Sequence, residues 1–132
     1  MASRLTEIVV DCHDPGAQAQ FWAAALGYHV VRSEDGQVEI APWEREPADL
    51  AERVRRAPAI PTLVFVTVPE GKTVKNRLHL DLLPVDCSHA EEVERLTSLG
   101  ARRADIGQGQ VPWVVLTDPE GDEFCALGPL GD

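Results

Sequence analysis

The chain has 132 residues, of which 44% are hydrophobic and 26% charged, a composition that excludes a disordered chain and, at this length, a multidomain machine. A chain of this size hides roughly two-thirds of the surface its unfolded form exposes, so a core can form without disulfides or a structural metal. Twelve Lys and Arg against 22 Asp and Glu give a formal net charge of -10, which argues against a nucleic-acid partner, because affinity for a phosphate backbone comes from clustered cations.

The densest basic cluster, Arg53, Arg55 and Arg56, sits among Glu44, Glu46, Asp49 and Glu52 and reads as a solvated helix face. No run approaches the roughly 18 apolar residues of a membrane span. Met1 to Arg4 lead directly into a strand-like pattern with no signal-peptide core, so a cytoplasmic protein with no membrane association is expected. Cys12, Cys87 and Cys125 are odd in number and form no CxxC, which fits reduced thiols better than a disulfide framework or a zinc ribbon.

In chain order, residues 5–11 carry the β-branched run Ile8, Val9, Val10 and are predicted as a strand. Asp14 followed by Pro15 marks a helix start, and Ala17, Phe21, Ala24 and Ala25 continue at helical spacing to Leu26 and Gly27. Residues 28–32 and 37–41 are predicted as a hairpin around Asp35-Gly36. The charged segment to Ala57 reads equally as a short helix that Pro58 and Pro61 terminate or as a mobile loop, and 62–68 is predicted as a buried strand.

The second half repeats the order. Residues 77–83 are predicted as a strand, 87–99 as a helix ending at Gly100, 101–104 as a short strand, and 111–117 and 123–127 as two more strands flanking the turn Asp118-Pro119-Glu120-Gly121. Glu7 precedes Asp14 by seven positions and His79 precedes Asp86 by seven, while Leu26-Gly27 and Leu99-Gly100 close the two helices. The halves therefore align as one βαβββ unit used twice.

These residues resemble a known family. Asp14 to Trp22 followed by Leu26-Gly27-Tyr28, then Lys75-Asn76-Arg77-Leu78-His79-Leu80-Asp81-Leu82 and Asp118 to Cys125, are similar to the vicinal oxygen chelate superfamily of glyoxalases, bleomycin-resistance proteins and extradiol dioxygenases, in particular its glyoxalase-like branch common in high-GC bacteria. The resemblance spans Leu5 to Leu127. It implies an α+β fold: a single domain over 1–132, built from two tandem βαβββ modules (about 5–70 and 76–128) whose curved mixed sheets enclose a concave pocket. It also implies a homodimer and, in many members, a divalent metal.

By the same resemblance the metal-ligand positions are Glu7 and His79 on the first strand of each module, with Cys125 and Val66 on the last strands. Val66 cannot bind a metal, and Cys125 stands where metal-dependent relatives carry a carboxylate. Catalytic metal sites need three protein ligands and an open position, so Glu7 and His79 alone fall short. A Glu, His and thiolate set suits zinc better than an octahedral oxygen-rich ion.

From the residues themselves, alternation within 77–83 separates Leu78, Leu80 and Leu82, expected to meet the helices, from Arg77, His79, Asp81 and Leu83. The plain reading of His79 and Asp81 is a solvated or mutually paired strand surface. The functional reading makes Arg77 a fork for an anion and His79 a hydrogen-bonding group or general acid/base. Trp22 is expected in the core, while Trp113 and Trp43 are candidate walls of an apolar pocket. Cys125 is by default a buried thiol, and a nucleophile only if His79 serves as its base. Cys12 and Cys87 read as structural, and His13, His29 and His89 as surface residues.

No phosphate-binding glycine loop, GxSxG elbow or HExxH is present. Three readings follow. The favoured one is a small-molecule-binding protein without a complete catalytic metal site, taking a modest organic, anionic ligand through Arg77, His79, Asp81, Trp113, Trp43 and Cys125. The alternative is a metal-dependent lyase, isomerase or dioxygenase acting on a vicinal-oxygen substrate, and the third an assembly module.

Overall fold

A computed structural model describes residues 1–109 and 111–128; Gln110 and 129–132, the far end of the expected domain, lie outside the described residues. The chain divides into two compact units, Met1–Gly71 and Lys72–Asp132.

In the first unit, β1 (Glu7–Cys12) leads into α1 (Pro15–Leu26), followed by β2 (His29–Glu34), β3 (Gln37–Ala41), α2 (Leu50–Arg56) and β4 (Thr62–Thr67). The sheet order is β1-β4-β3-β2, with β1 parallel to β4 and the other pairs antiparallel. Asp14 caps α1 as its pattern predicts, its Oδ1 accepting from the Ala17 N–H at 3.1 Å. Gly27 ends the helix at φ 70°, in the left-handed region that glycine enters without a Cβ clash.

α1 packs on β3 and β4, burying Phe21, Trp22 and Ala25 near a core that includes Ile40, Leu63 and Phe65. The rings of Phe21 and Trp22 meet edge to face, with centroids 5.3 Å apart. Trp22 is the core residue its position predicts. The basic residues of α2 form the expected exposed face, with Arg53 paired to Asp49 and Arg56 to Glu52.

The second unit runs β5 (Asp81–Leu82), α3 (His89–Ser98), β6 (Arg102–Arg103), β7 (Trp113–Thr117) and β8 (Glu123–Leu127). Its sheet order, β5-β8-β7-β6, reproduces that of the first unit, again with the first and last strands parallel. The repeat predicted from spacing is thus present as topology. Phe124, Ala126 and Leu116 on one sheet face and Val93 and Leu96 of α3 are all buried, and α3 packs on β8.

Three details differ from the sequence reading. The strand expected over 77–83 shortens to two paired residues, because the segment before it bonds to side chains: the Asn76 N–H donates to Glu123 and its amide to Asp122. Leu78 consequently meets no helix and is 90% exposed. The cap of α3 is Ser88, whose Oγ accepts from the Glu91 N–H at 3.2 Å, not Asp86, so the matched seven-residue spacing does not mark equivalent caps. His89 is half-buried and its Nε2 hydrogen-bonds the Ala126 carbonyl at 3.0 Å, where a free surface residue was expected.

Candidate functional site

The β5–β8 ladder pairs Asp81 with Cys125, and the β7–β8 ladder pairs Val115 with Cys125 and Trp113 with Leu127. Side chains of paired residues share a sheet face, and so do residues two apart on a strand. One face therefore collects Asp81, Glu123, Cys125, Leu127, Val115 and Trp113, while Phe124, Ala126 and Leu116 supply the opposite, core-facing one. His79 precedes the paired part of β5, and its side chain reaches the same pocket.

That face floors a pocket of about 350 Å³ in the second unit. Trp113, Val115, Leu127 and Ile106 line it with apolar surface, and Lys75, His79, Asp81 and Glu123 contribute polar groups. Cys125 lies at its floor, 6% exposed, whereas the side chains of His79 and Asp81 are 44% and 49% exposed. His79 Nδ1 stands 3.6 Å from Asp81 Oδ1, and single donor atoms of His79, Asp81 and Cys125 all lie within 4.8 Å of one another.

Burial first, and then the negative charge of Asp81, push the Cys125 thiol above its ordinary value, with Lys75 opposing weakly. A thiol shifted in this direction carries less thiolate, the nucleophilic form, than a free one. Glu123 is held by the Lys72 ammonium at 3.0 Å and the Asn76 N–H at 2.9 Å. Burial raises its carboxyl, but these two donors outweigh burial and leave it below its usual value. Asp122 alongside is pushed up to about 6, by burial and then by the charge of Asp118.

Four of the predicted site residues, His79, Asp81, Trp113 and Cys125, thus meet in one pocket. Arg77 is exposed and outside its lining; the cation that lines it is Lys75. The strand parity assigned to Arg77 fails because residue 77 precedes the paired part of β5. Glu7 and Trp43 belong to the first unit. Glu7 is exposed on β1 in register with Thr62; Trp43 is half-buried, its buried indole N–H without a hydrogen-bond partner among the described residues. Val66 registers with Asp11. Glu123 and Leu127 were missed, although the two-residue period through Cys125 marks them; Ile106 and Gln108 come from an irregular connection with no periodic signal.

A model of the glyoxalase-like domain matches residues 7–127. No curated protein matches. Among solved structures, the fosfomycin resistance protein FosX from Mesorhizobium loti is 12% identical with a TM-score of 0.66, over 98% of this chain and 95% of that one. FosX from Listeria monocytogenes, in a structure complexed with Mn(II) and 1S,2S-dihydroxypropylphosphonic acid, is 14% identical with a TM-score of 0.64, over 98% and 94%. A glyoxalase/bleomycin resistance protein/dioxygenase family enzyme from Burkholderia phytofirmans PsJN is 16% identical with a TM-score of 0.63, over 94% and 97%. At these identities the likeness is one of fold.

Proposed function

The chain belongs to the glyoxalase-like domain family, and from that premise we propose that it binds a small organic ligand with an anionic head in the pocket of its second unit. The single observation behind this reading is the composition of that pocket: the apolar side chains of Trp113, Val115, Ile106 and Leu127 together with the ammonium of Lys75 and the imidazole of His79, beside the carboxylates of Asp81 and Glu123. Such a lining buries a ligand's hydrocarbon body and orients its polar end. Glu123 adds little repulsion because Lys72 neutralises it at 3.0 Å.

A thermal-shift series tests this with small aromatic and aliphatic carboxylates and their neutral amides. The carboxylates raise the melting temperature and the amides do so less, and Lys75→Ala removes the difference. Equal response to acid and amide, or no response to any member, would discard the reading. The same reading includes a homodimer, which sedimentation equilibrium checks; no described helix is long and apolar enough to cross a membrane.

The second reading, a metal-dependent enzyme, is favoured by the grouping of His79, Asp81 and Cys125. An imidazole, a carboxylate and a thiol can together hold a divalent ion while leaving a position open. When bound, such an ion acts as a Lewis acid on an oxygen-bearing ligand. For either reading the chain's own work is the same: Trp113 and Val115 exclude water, and Lys75 positions the ligand's anionic end.

A further inference from the structure

We infer that Asp81, rather than Glu7, is the third metal-ligating residue, and that the second unit by itself, through His79, Asp81 and Cys125, takes a thiophilic divalent ion of the zinc type. The inference deepens the metal reading of the pocket and rests on it.

The placement follows from the backbone. Asp81 and Cys125 are Cα partners across the parallel β5–β8 ladder, whose strands lie about 4.8 Å apart, and the Cys125 N–H donates to the Leu80 carbonyl at 2.9 Å to hold that register. His79 comes from the unpaired approach to β5, and its imidazole stands beside the Asp81 carboxylate. Tetrahedral ligands at roughly 2.0 to 2.3 Å from zinc stand about 3.3 to 3.8 Å from one another. The 3.6 Å between His79 Nδ1 and Asp81 Oδ1 lies in that interval, and all three donors already fall within 4.8 Å.

Chemistry selects the ion. A thiolate is a soft ligand, which favours zinc or cobalt over manganese or magnesium, ions that prefer oxygen. Cys125 is fixed at the floor, while His79 and Asp81 are half-exposed and free to adjust by side-chain rotation. Three protein ligands leave the fourth position to the pocket.

The test uses the full chain, freed of metal with chelator and titrated with Co(II), read by absorbance. The expected result is one ion per chain with a near-ultraviolet sulfur-to-cobalt charge-transfer band, displaced by Zn(II) and not by equimolar Mn(II). Cys125→Ser abolishes the band, Asp81→Asn weakens binding at least tenfold, Asp81→Glu restores part of it, and Glu7→Gln stays within twofold of the parent chain. Circular dichroism confirms that each variant is folded, and His79→Gln, expected to match Asp81→Asn, replaces it should that variant not fold. Unchanged binding in Asp81→Asn, a tenfold loss in Glu7→Gln, or no band in the parent chain overturns the assignment. Carboxylate binding measured in chelator separates the two ideas: if it persists while cobalt binding fails, the metal assignment falls and the ligand pocket stands.

Discussion

Asn76 and Glu123 are joined by a 2.9 Å hydrogen bond from the Asn76 backbone N–H to the Glu123 carboxylate, whose other oxygen holds Lys72 at 3.0 Å. This carboxylate therefore fastens the approach to β5, the stretch that brings Lys75 and His79 to the pocket. Replacing Glu123 with Ala releases both donors at once. The expected loss is about 1 to 3 kcal/mol of stability, with faster amide hydrogen exchange at Asn76. Unaltered exchange there would show that the approach is held by other means.

Asp122 makes the second unit lose stability as pH rises out of mild acid. Its carboxyl is pushed from 3.8 up to about 6 by burial and by Asp118. A group with a raised folded-state value contributes stability that is fully present below about pH 4 and is lost as pH rises through about 6. Because the carboxyl is partly solvated, screening reduces the difference to about 1 kcal/mol. Asp122→Asn keeps the acceptor for Asn76 and removes the titration, so its melting temperature relative to the parent chain rises between pH 4 and pH 8. A constant difference across that range would rule the effect out.

On α3, Glu92 is 7% exposed and receives Arg95 at 2.6 Å. The Arg95 hydrogen bond is the main cause that holds the Glu92 carboxyl below its ordinary value, with burial acting against it. That depressed value contributes stability above pH 4.5 which is lost as pH falls through the folded-state value. Arg95→Ala is expected to cost about 1 to 3 kcal/mol at neutral pH and to cost less in acid. Chemical denaturation at pH 7 and pH 3 measures both.

Trp113 and Trp22 separate pocket from core. Trp22 is 4% exposed and Trp113 36%, so Trp22→Ala is expected to lose about 3 to 5 kcal/mol of stability. Trp113→Ala loses less than half as much but weakens carboxylate binding at least tenfold. Equal stability losses with unchanged binding in Trp113→Ala would take Trp113 out of the pocket wall.

Most of the fold was legible because it is encoded locally. Asp14-Pro15 starts a helix, Asp35-Gly36 turns a hairpin, and the β-branched run 62–68 forms a buried strand. The βαβββ repeat was legible for the same reason, and alternation set His79 beside Asp81, whereas Cys125 was linked to His79 only through the family resemblance. What stayed hidden depends on long-range partners. Asn76 bonds to Glu123 and Asp122, far along the chain, which shortens β5 and leaves Leu78 in solvent despite its alternating pattern. Alternation singled out Arg77 as the anion-binding cation, and only the irregular path of that segment decides that Lys75 lines the pocket instead. His89 carries no sequence sign of its bond to Ala126.

The two sheets share an order, yet their last strands are reached differently. β8 follows β7 through the tight turn from Asp118 to Asp122, whereas β4 follows β3 only after the connection that contains α2. A loop roughly four times longer costs about 1 kcal/mol more in closure entropy. Closing β7 on β8, the pair that carries Val115 and Cys125 on one face, therefore costs less chain entropy than closing β3 on β4.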